Sequence, residues 1–480
     1  MTNKNQIIQL VIVILIIFGT ANFFVTASSL ITYDYDLDYS EGFVIKNTER
    51  LVETGSLYQE PKLENGFDSV KYTPLYYILT ALISPVLGLS LFTGRLLNLL
   101  FAVGVASLIY MISKQLTGRN TVLIALTFFL PYLTLFTATT IRVDMPAVFF
   151  SLTGIYLFLK DRNKLSSVMF LAAFFTKQTF VAGFIAVSAY LAFQNNRNDV
   201  MKAVNTRSVK RLLEKNRDLL EMNIVYFSGL ILGLTALTVW SPHALSNIFM
   251  SNLSGFEIRW DLIEWMHLTF LPFFSLTAYY LYIFRDKLFG TYFLVSLLIM
   301  SFQLMRGGAW VYAVIEPFTV SLICIGLLIS RISIGKDIIN YIILAQIVIF
   351  LFAPLVSGNI TSVSQMPEIN QNADNAIVSY VESTDNASYT EHIGYEIKAD
   401  KEYSPEIFAF YEQYASENID AEEVVEYFEK QQYQYIITYR RIDKLPLEDY
   451  IEDNYVLINH LDRKDMLLNE EQWRVYRWEE

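Results

Sequence analysis

The sequence has little cysteine, histidine or charge. Its 480 residues include one cysteine, Cys324, and four histidines, without a CxxC pair or a cluster of metal-spaced histidines. An intrachain disulfide is therefore excluded. No GxGxxG or P-loop pattern for a nucleotide occurs. Charged residues make up 18% of the chain, against about 25% in soluble domains. The net charge of −12 argues against nucleic-acid binding, which needs a basic face.

What the chain has instead is apolar surface. Hydrophobic residues make up 53% and aromatic residues 15% of it, and the mean hydropathy is +0.34. A positive value over this length predicts an integral membrane protein. It excludes a plain soluble enzyme, a disordered chain and a collagen-like chain.

The charge is divided unevenly along the chain. Residues 358–480 hold 27 acidic and 10 basic residues, whereas residues 1–357 hold 21 and 26. This shift predicts a membrane domain, 1–357, followed by an acidic extracytoplasmic domain, 358–480. Within the latter, 421–432 has the pattern of an amphipathic helix, and 433–439 and 473–478 have those of strands. We expect a small soluble α/β domain.

Twelve apolar runs compete for membrane spans in residues 1–357. The five dense basic loops can all be cytoplasmic, as the positive-inside rule requires, only if one early run does not cross. The run 74–90 contains Pro85 and Gly88, and no basic residue follows its start before Arg95. We interpret it as a helix lying in the outer interface. This predicts a multi-pass protein of the cell membrane with about eleven crossings plus juxtamembrane helices, its N-terminus in the cytoplasm and its C-terminal domain outside.

The first long outer loop, 31–72, opens with an acidic run. Four carboxylates lie within eight residues: Asp34, Asp36, Asp38 and Glu41. Mutual repulsion raises some of their pKa values and suits them to hold a cation or act as a general base. An amphipathic stretch, 44–54, follows and ends at Gly55, which favours this interpretation over a solvated acidic linker.

Further ionisable residues lie at predicted outer helix ends or in the second outer loop, 241–265. Such groups are costly in a membrane and usually face a cavity or a partner. Lys177, at the tip of the helical hairpin 165–194, is well placed to meet a phosphate. The alternative is that Arg142 pairs with Asp144, and Arg306 with Glu316, across helix ends. The candidates for an outward cavity are Arg95, Arg142, Lys177, Arg306, Asp144, Glu316, Tyr72, Glu257 and Arg259.

These residues resemble the GT-C superfamily of membrane glycosyltransferases, especially the branch of protein O-mannosyltransferases and lipid A aminoarabinose transferases. The resemblance covers roughly residues 1–357 and depends on the order and spacing of short pieces. The pieces are Asp38-Tyr39-Ser40-Glu41-Gly42, Gly55-Ser56-Leu57-Tyr58, Lys71-Tyr72-Thr73-Pro74-Leu75-Tyr76-Tyr77, Gly94-Arg95-Leu96, Arg142-Val143-Asp144, Thr176-Lys177-Gln178 and Gly307-Gly308 through Glu316-Pro317.

The resemblance implies catalytic carboxylates. In the family an acid of the first outer loop acts at the acceptor, and a second acid, after the third crossing, corresponds to Asp144. The aminoarabinose branch has an Asp-Glu pair where this chain has Ser40 and Glu41, so Asp36, Asp38 and Glu41 remain alternatives. A metal-binding Glu-Lys-Pro of that branch is replaced by Tyr72-Thr73-Pro74. A divalent metal is possible, but its ligands are undefined.

The resemblance also implies a donor and a reaction. The donor is a sugar on a polyprenyl phosphate in the bilayer, and the acceptor is a lipid, a glycan or a protein. Single displacement inverts the anomeric centre. A lipid-sugar polymerase or ligase is a related alternative; a secondary transporter and a non-catalytic membrane scaffold are alternatives from other classes. The expected phosphate ligands are Lys177, Arg95, Arg142 and Arg306, and the expected cavity residues are Tyr72, Glu257, Arg259 and Glu316.

Overall fold

The computed structural model describes residues 2–479 except 69, 195–215, 250–259, 306–310, 333–335, 357–362, 417, 440–441 and 465–469. Helices dominate these residues. Nine helices come first: α1 Thr2–Ile31, α2 Ser40–Thr54, α3 Leu75–Leu87, α4 Leu91–Thr117, α5 Val122–Thr127, α6 Tyr132–Thr139, α7 Asp144–Phe158, α8 Asn163–Thr176 and α9 Ala182–Gln194. The helices Arg217–Trp240, Ala244–Phe249, Trp260–Phe284, Lys287–Leu304, Ile315–Arg331 and Lys336–Val356 follow.

Several of these helices are long and apolar enough to cross a membrane. Five qualify among the described residues, or six if α6 and α7, which meet at 104°, form one broken span. The protein is therefore a multi-pass membrane protein, while the figure of eleven crossings stays a prediction. At 13 residues, α3 reaches about 20 Å, too short for a hydrocarbon core of about 30 Å. This length agrees with an interfacial helix.

The helix Ile315–Arg331 lies at the centre of the helical part within residues 1–357, which we call the membrane body. Its residues from Ile315 to Leu328, including the thiol of Cys324, are buried. Around it, helices approach closely where one of them offers a glycine. A Cβ on Gly154 or Gly183 would come within 2.7 Å of the Phe170 ring, so small residues allow the aromatic side chain to fill the space between helices.

Two local predictions are confirmed. The amphipathic stretch after the acidic run forms α2, which ends at Gly55 in the left-handed conformation at φ +69°, where glycine carries no steric penalty. The hairpin predicted over 165–194 consists of α8 and α9, and Lys177 follows the last residue of α8. Tyr76 and Tyr77 of α3 are fully buried against protein.

The C-terminal part combines helices with a mixed sheet. The strands β1 Ser388–Thr390, β2 Tyr435–Thr438, β3 Tyr455–Lys464 and β4 Glu470–Trp478 form the order β1-β2-β4-β3, in which only the β1–β2 pair is parallel. The predicted strands 433–439 and 473–478 correspond to β2 and β4. The helices are Met366–Glu382, Gly394–Lys398, Ile407–Ala415, Ala421–Gln431 and Glu448–Asn454. The predicted helix 421–432 corresponds to the fourth of them.

The C-terminal part packs on the first outer loop and shares a core with it. Tyr33 and Leu37 are buried in one hydrophobic cluster with Trp473 of β4. A second cluster joins Phe67 of the same loop to Phe410. The change in composition near residue 358 is thus no boundary between separate cores, because burial of these apolar side chains holds the two parts together.

Candidate active site

An ion pair links the acidic run to the break between α6 and α7. Asp38 Oδ1 lies 2.8 Å from Arg142 Nη2 and also accepts hydrogen bonds from the backbone and hydroxyl of Ser40. Burial would raise the pKa of Asp38, but the charge of Arg142 and the Ser40 hydrogen bonds outweigh it and lower the pKa. The Asp38 side chain is 15% exposed, and no described residue donates to its Oδ2. The carboxylate is therefore ionised, partly exposed, and has one oxygen without a donor among the described residues.

A second ion pair joins α7 to the tip of the α8–α9 hairpin. Lys177 Nζ lies 2.7 Å from Asp144 Oδ1, and both side chains are almost completely buried. Asp144 occupies the first turn of α7, where the helix dipole favours a negative charge. The alternative in which Arg142 pairs with Asp144 is wrong, because Arg142 pairs with Asp38 and Asp144 pairs with Lys177.

One aromatic ring connects the two pairs. The Arg142 guanidinium carbon and Lys177 Nζ each lie 4.7 Å from the ring centroid of Tyr312, a distance at which the ring attracts cations. We call Asp38, Arg142, Tyr312, Lys177 and Asp144 the charged cluster. Its members come from four separate stretches of sequence, since Arg142 and Asp144 are two residues apart.

Two predicted cavity residues lie close to these groups. The ring centroid of Tyr72 is 5.7 Å from Lys177 Nζ, and burial raises the pKa of the Tyr72 hydroxyl, which keeps it a neutral donor. Glu316 lies four residues after Tyr312 and accepts hydrogen bonds of 3.0 Å from the hydroxyls of Ser151 and Tyr292. The hydrogen-bond partners of Glu316 among the described residues are thus neutral hydroxyls.

Arg95 and Glu41, both predicted to act on substrate, are instead buried against each other. Arg95 Nε and Nη2 donate to the two oxygens of Glu41 at 2.8 and 2.7 Å, and both side chains are 0% exposed. The remaining Arg95 donors bind the carbonyls of Leu30, Tyr33 and Tyr35. With every donor of Arg95 used, the structure argues against its assignment as a phosphate ligand and for a structural role.

Glu41 is saturated in the same way. Its Oε1 also accepts from the Ile141 amide at 3.0 Å, and its Oε2 from the Leu37 amide at 2.7 Å. A carboxylate with neither exposure nor a free oxygen cannot reach an acceptor hydroxyl. This geometry argues against Glu41 as the general base.

The region around Arg95 and Glu41, whose hydrogen-bonding groups are all used, positions the charged cluster. Asn98 Nδ2 donates to the carbonyls of Thr140 and Arg142 at 2.6 and 2.9 Å, and Glu41 holds the amide of the residue between them. Gly94 makes room for this loop, because a Cβ there would lie 2.7 Å from Ile141. Arg142 is thus presented by a backbone that α2 and α4 fix.

Asp36 points away from the charged cluster, towards the C-terminal part. Its Oδ2 accepts from the Gly394 amide at 2.8 Å, and its side chain is 1% exposed. Burial and the nearby charge of Glu41 raise the pKa of Asp36 to about 8, although Arg95, the Gly394 amide and Arg463 lower it. As a buried contact between two parts of the chain, Asp36 is a poor candidate for the base.

The remaining predictions concern residues outside the part of the chain that the structure describes, or a metal ion. Glu257, Arg259 and Arg306 lie outside the described residues. Among the residues that are described, no three His, Cys, Asp or Glu side chains converge to hold a metal ion. The described donor set does not fit a metal, so no step is assigned to one.

Sequence reasoning missed two residues of this site. Tyr312 carries no charge and gave no signal, although it lies four residues before the singled-out Glu316. Asn98 follows Arg95 by three residues, which places both on one face of α4. That spacing was the only available signal for Asn98.

Comparison with known proteins adds a fold to this geometry. No protein-family model matches the sequence. An uncharacterized protein of Aquifex aeolicus is 33% identical over 137 residues, which is 28% of this chain and 32% of that relative. ArnT from Cupriavidus metallidurans in the apo state has a TM-score of 0.57 at 11% identity, over 95% of this chain and 97% of ArnT.

Two further solved structures are similar. ArnT bound to undecaprenyl phosphate has a TM-score of 0.54 at 13% identity and covers 94% of this chain and 97% of its own. The apo oligosaccharyltransferase of Archaeoglobus fulgidus has a TM-score of 0.50 at 10% identity, over 88% of this chain and 69% of its own. The chain has the GT-C fold. The GT-C fold agrees with the resemblance inferred from the motifs, and at these identities it is the fold that is shared.

Proposed function

We propose that the protein is a membrane glycosyltransferase that moves a sugar from a polyprenyl-phosphate donor to a hydroxyl of a lipid, glycan or protein acceptor. The observation that carries the proposal is the charged cluster, in which two cation–carboxylate pairs share the Tyr312 ring, in a chain of GT-C fold. Undecaprenyl phosphate bound to the similar ArnT supports a donor of this class.

Asp38 is the general base in this proposal. Among the three carboxylates of the acidic run that sequence left open, it alone combines partial exposure with an oxygen that no described residue engages. Its lowered pKa keeps it deprotonated at neutral pH. A base must also reach the hydroxyl it deprotonates, and the exposed side of Asp38 offers that access.

Arg142 and Lys177 bind the donor phosphate. The four charges of the cluster sum to zero, so an incoming phosphate must compete with a carboxylate for its cation. Arg142 is the better target: its pair is more exposed than the Lys177–Asp144 pair. Its Nε is also a buried donor without a hydrogen-bond partner among the described residues, and a second donor suits a phosphate.

This competition activates the base. Once phosphate takes Arg142, Asp38 loses the positive charge that lowers its pKa, and its affinity for a proton increases. Asp38 then takes the acceptor's proton, the acceptor oxygen bonds to the anomeric carbon, and the bond from that carbon to the phosphate oxygen breaks. Polyprenyl phosphate leaves with the electron pair, stabilised by Arg142 and Lys177. One displacement of this kind inverts the anomeric centre.

The cluster is placed on the extracytoplasmic face in this proposal. Its residues lie at the end of the body where the C-terminal part contacts the first outer loop. We keep the predicted division into 1–357 and 358–480, with a cytoplasmic N-terminus. Asp144, predicted as a catalytic acid, here orients Lys177.

The test is transfer of radiolabelled sugar from polyprenyl-phosphate donors in membranes that contain the protein. We expect Asp38→Asn to reduce transfer by about 10²- to 10⁴-fold, the range for loss of a general base, with normal expression and Tm. The matched control is Glu53→Gln, which neutralises an exposed acid of α2 and should leave transfer intact. Full transfer by Asp38→Asn would refute the assignment of the base, and no transfer by the parent from a panel of donor sugars would refute the activity.

A further inference from the structure

The start of the first outer loop is held by two arginines from opposite sides. Arg95 of α4 binds the carbonyls of Leu30, Tyr33 and Tyr35. The next carbonyl, that of Asp36, accepts a hydrogen bond from Arg463 Nη2. The membrane body therefore holds the carbonyls of residues 30, 33 and 35, and the C-terminal part holds the carbonyl of residue 36, two residues before Asp38.

Arg463 is itself held by the sheet. It faces Glu471 in the register of β3 with β4, and its Nη1 lies 3.2 Å from Glu471 Oε2. Its Nε lies 3.0 Å from Asp374 Oδ1, and its side chain is 1% exposed. A buried guanidinium with two carboxylate partners is preorganised, so the hydrogen bond to the Asp36 carbonyl has a fixed direction.

The tyrosines of the loop reinforce this contact. The hydroxyl of Tyr33 donates to Asp374 Oδ2, and that of Tyr35 bonds to Asn375 Oδ1 at 2.5 Å. Both partners lie on the helix Met366–Glu382. Asp374 thus receives Arg463 from one side and the loop from the other.

No side chain could be added where the two parts touch. A Cβ on Gly394 would lie 2.3 Å from Asp36 Cγ, and a Cβ on Gly42 would lie 2.6 Å from the Gly394 nitrogen. Gly394 therefore packs tightly against the Asp36 side chain and the Gly42 backbone, so a shift of the C-terminal part would be transmitted to the segment 36–38.

We propose that Arg463 is a positioning residue, through which the C-terminal part sets the conformation of residues 33–38 and hence the place of the Asp38 carboxylate at the charged cluster. This inference rests on the proposed function in giving Asp38 the role of base. It assigns the C-terminal part to the active site, rather than to a separate task such as acceptor capture alone.

The experiment compares Arg463→Lys, which keeps the charge but loses the planar fork, with Asp374→Asn, which keeps the shape and removes the charge. Arg474→Met is the matched control, since Arg474 lies on β4 but pairs with the exposed Asp443. Two readouts are made on the full-length protein in detergent: amide hydrogen exchange of peptides covering residues 33–41, and the kcat and donor KM of transfer.

For Arg463→Lys we expect exchange in 33–41 to become faster by about tenfold or more, the sign of local opening. We expect kcat to fall by about 100-fold, the cost of misplacing a catalytic group by about 1 Å. The donor KM should not rise, because Arg142 and Lys177 stay in place and a displaced Asp38 competes less for Arg142. Asp374→Asn should change both readouts in the same direction, and Arg474→Met neither. A displaced base predicts this separation of kcat from KM, whereas displaced phosphate ligands would raise the donor KM.

Unchanged exchange in 33–41 for both Arg463→Lys and Asp374→Asn would overturn the proposal, and so would faster exchange with an unchanged kcat. Exchange does not depend on catalysis. If the parent transfers no sugar, the proposed function fails, while the exchange of 33–41 still decides whether Arg463 controls this segment.

Discussion

Arg95 and Arg142 are both arginines at the same end of the membrane body, and both bind a carboxylate of the acidic run. Arg95 is 0% exposed and gives every donor to protein acceptors. Arg142 makes one ion pair, lies against the Tyr312 ring and keeps a buried donor without a described hydrogen-bond partner. An arginine can bind substrate only with donors that the fold has not already used, so Arg95 fits a structural role, and Arg142 fits the role of phosphate ligand that we propose for it.

The strongest test of this comparison is stability. We expect Arg95→Met to lower the free energy of unfolding by about 3–5 kcal/mol, because it leaves Glu41 as an unpaired buried charge. Arg142→Met should cost clearly less, since Asp38 is partly exposed and keeps its Ser40 hydrogen bonds. Thermal unfolding in detergent measures both. The double variant Arg95→Met with Glu41→Leu should recover part of the loss, and equal losses for the two single variants would contradict the division.

For donor affinity we expect the reverse order, with a larger loss for Arg142→Met than for Arg95→Met. Removing Arg142 with Arg142→Met deletes a charged donor to phosphate worth about 1.5–3 kcal/mol, which is about 10- to 150-fold in Kd. Titration of the protein with undecaprenyl phosphate measures this. The pair Lys177→Met with Asp144→Asn should also weaken binding while keeping the local charge balanced. Unaltered binding in both variants would place the phosphate elsewhere.

The competition for Arg142 predicts two different acid limbs in the pH dependence of transfer. The free enzyme, reported by kcat/KM for the donor, retains the lowered pKa of Asp38, so activity persists to lower pH. In the donor complex, reported by kcat, the phosphate holds Arg142 and the pKa of Asp38 is higher. The acid limb of kcat should therefore lie about one pH unit or more above that of kcat/KM. Coincident limbs would show that donor binding leaves the Asp38–Arg142 pair intact.

The smallest effect is expected at Asp36. With its pKa raised to about 8, folded Asp36 keeps a proton that the unfolded chain releases above about pH 4. The unfolded state then binds fewer protons, so stability falls as pH rises from about 4 to about 8. Asp36→Asn cannot ionise, so its Tm should decline less over this range, with transfer within a few-fold of the parent. Loss of transfer in Asp36→Asn would make Asp36, not Asp38, the base.

Sequence predicted those parts of the site that follow from local pattern. Lys177 at a hairpin tip and Asp144 at a predicted outer helix end were both singled out from their position, and the structure pairs them in the charged cluster. The helix α2, the strands β2 and β4 and the helix Ala421–Gln431 likewise follow from periodicity.

The choice of partners could not be predicted, because it depends on contacts distant in sequence. Glu41 and Arg95 are 54 residues apart, Asp38 and Arg142 are 104 apart, and Asp36 meets Gly394 across 358 residues. Charge near a helix end signals that an ionisable group has a role. Such a charge does not show whether the hydrogen-bond donors or acceptors of the group already have partners within the protein. That difference separates Arg95 from Arg142.

The burial of Cys324 makes the chain a ready background for site-directed labelling. The thiol is 0% exposed in the central helix, so the native protein should be silent to a membrane-impermeant maleimide. A cysteine introduced at an exposed position would then be the single reactive thiol of the molecule. If the predicted topology is right, Asp385→Cys on the C-terminal part labels in intact cells, and Asn120→Cys, between α4 and α5, labels only after permeabilisation. A series of such variants would count the crossings one loop at a time.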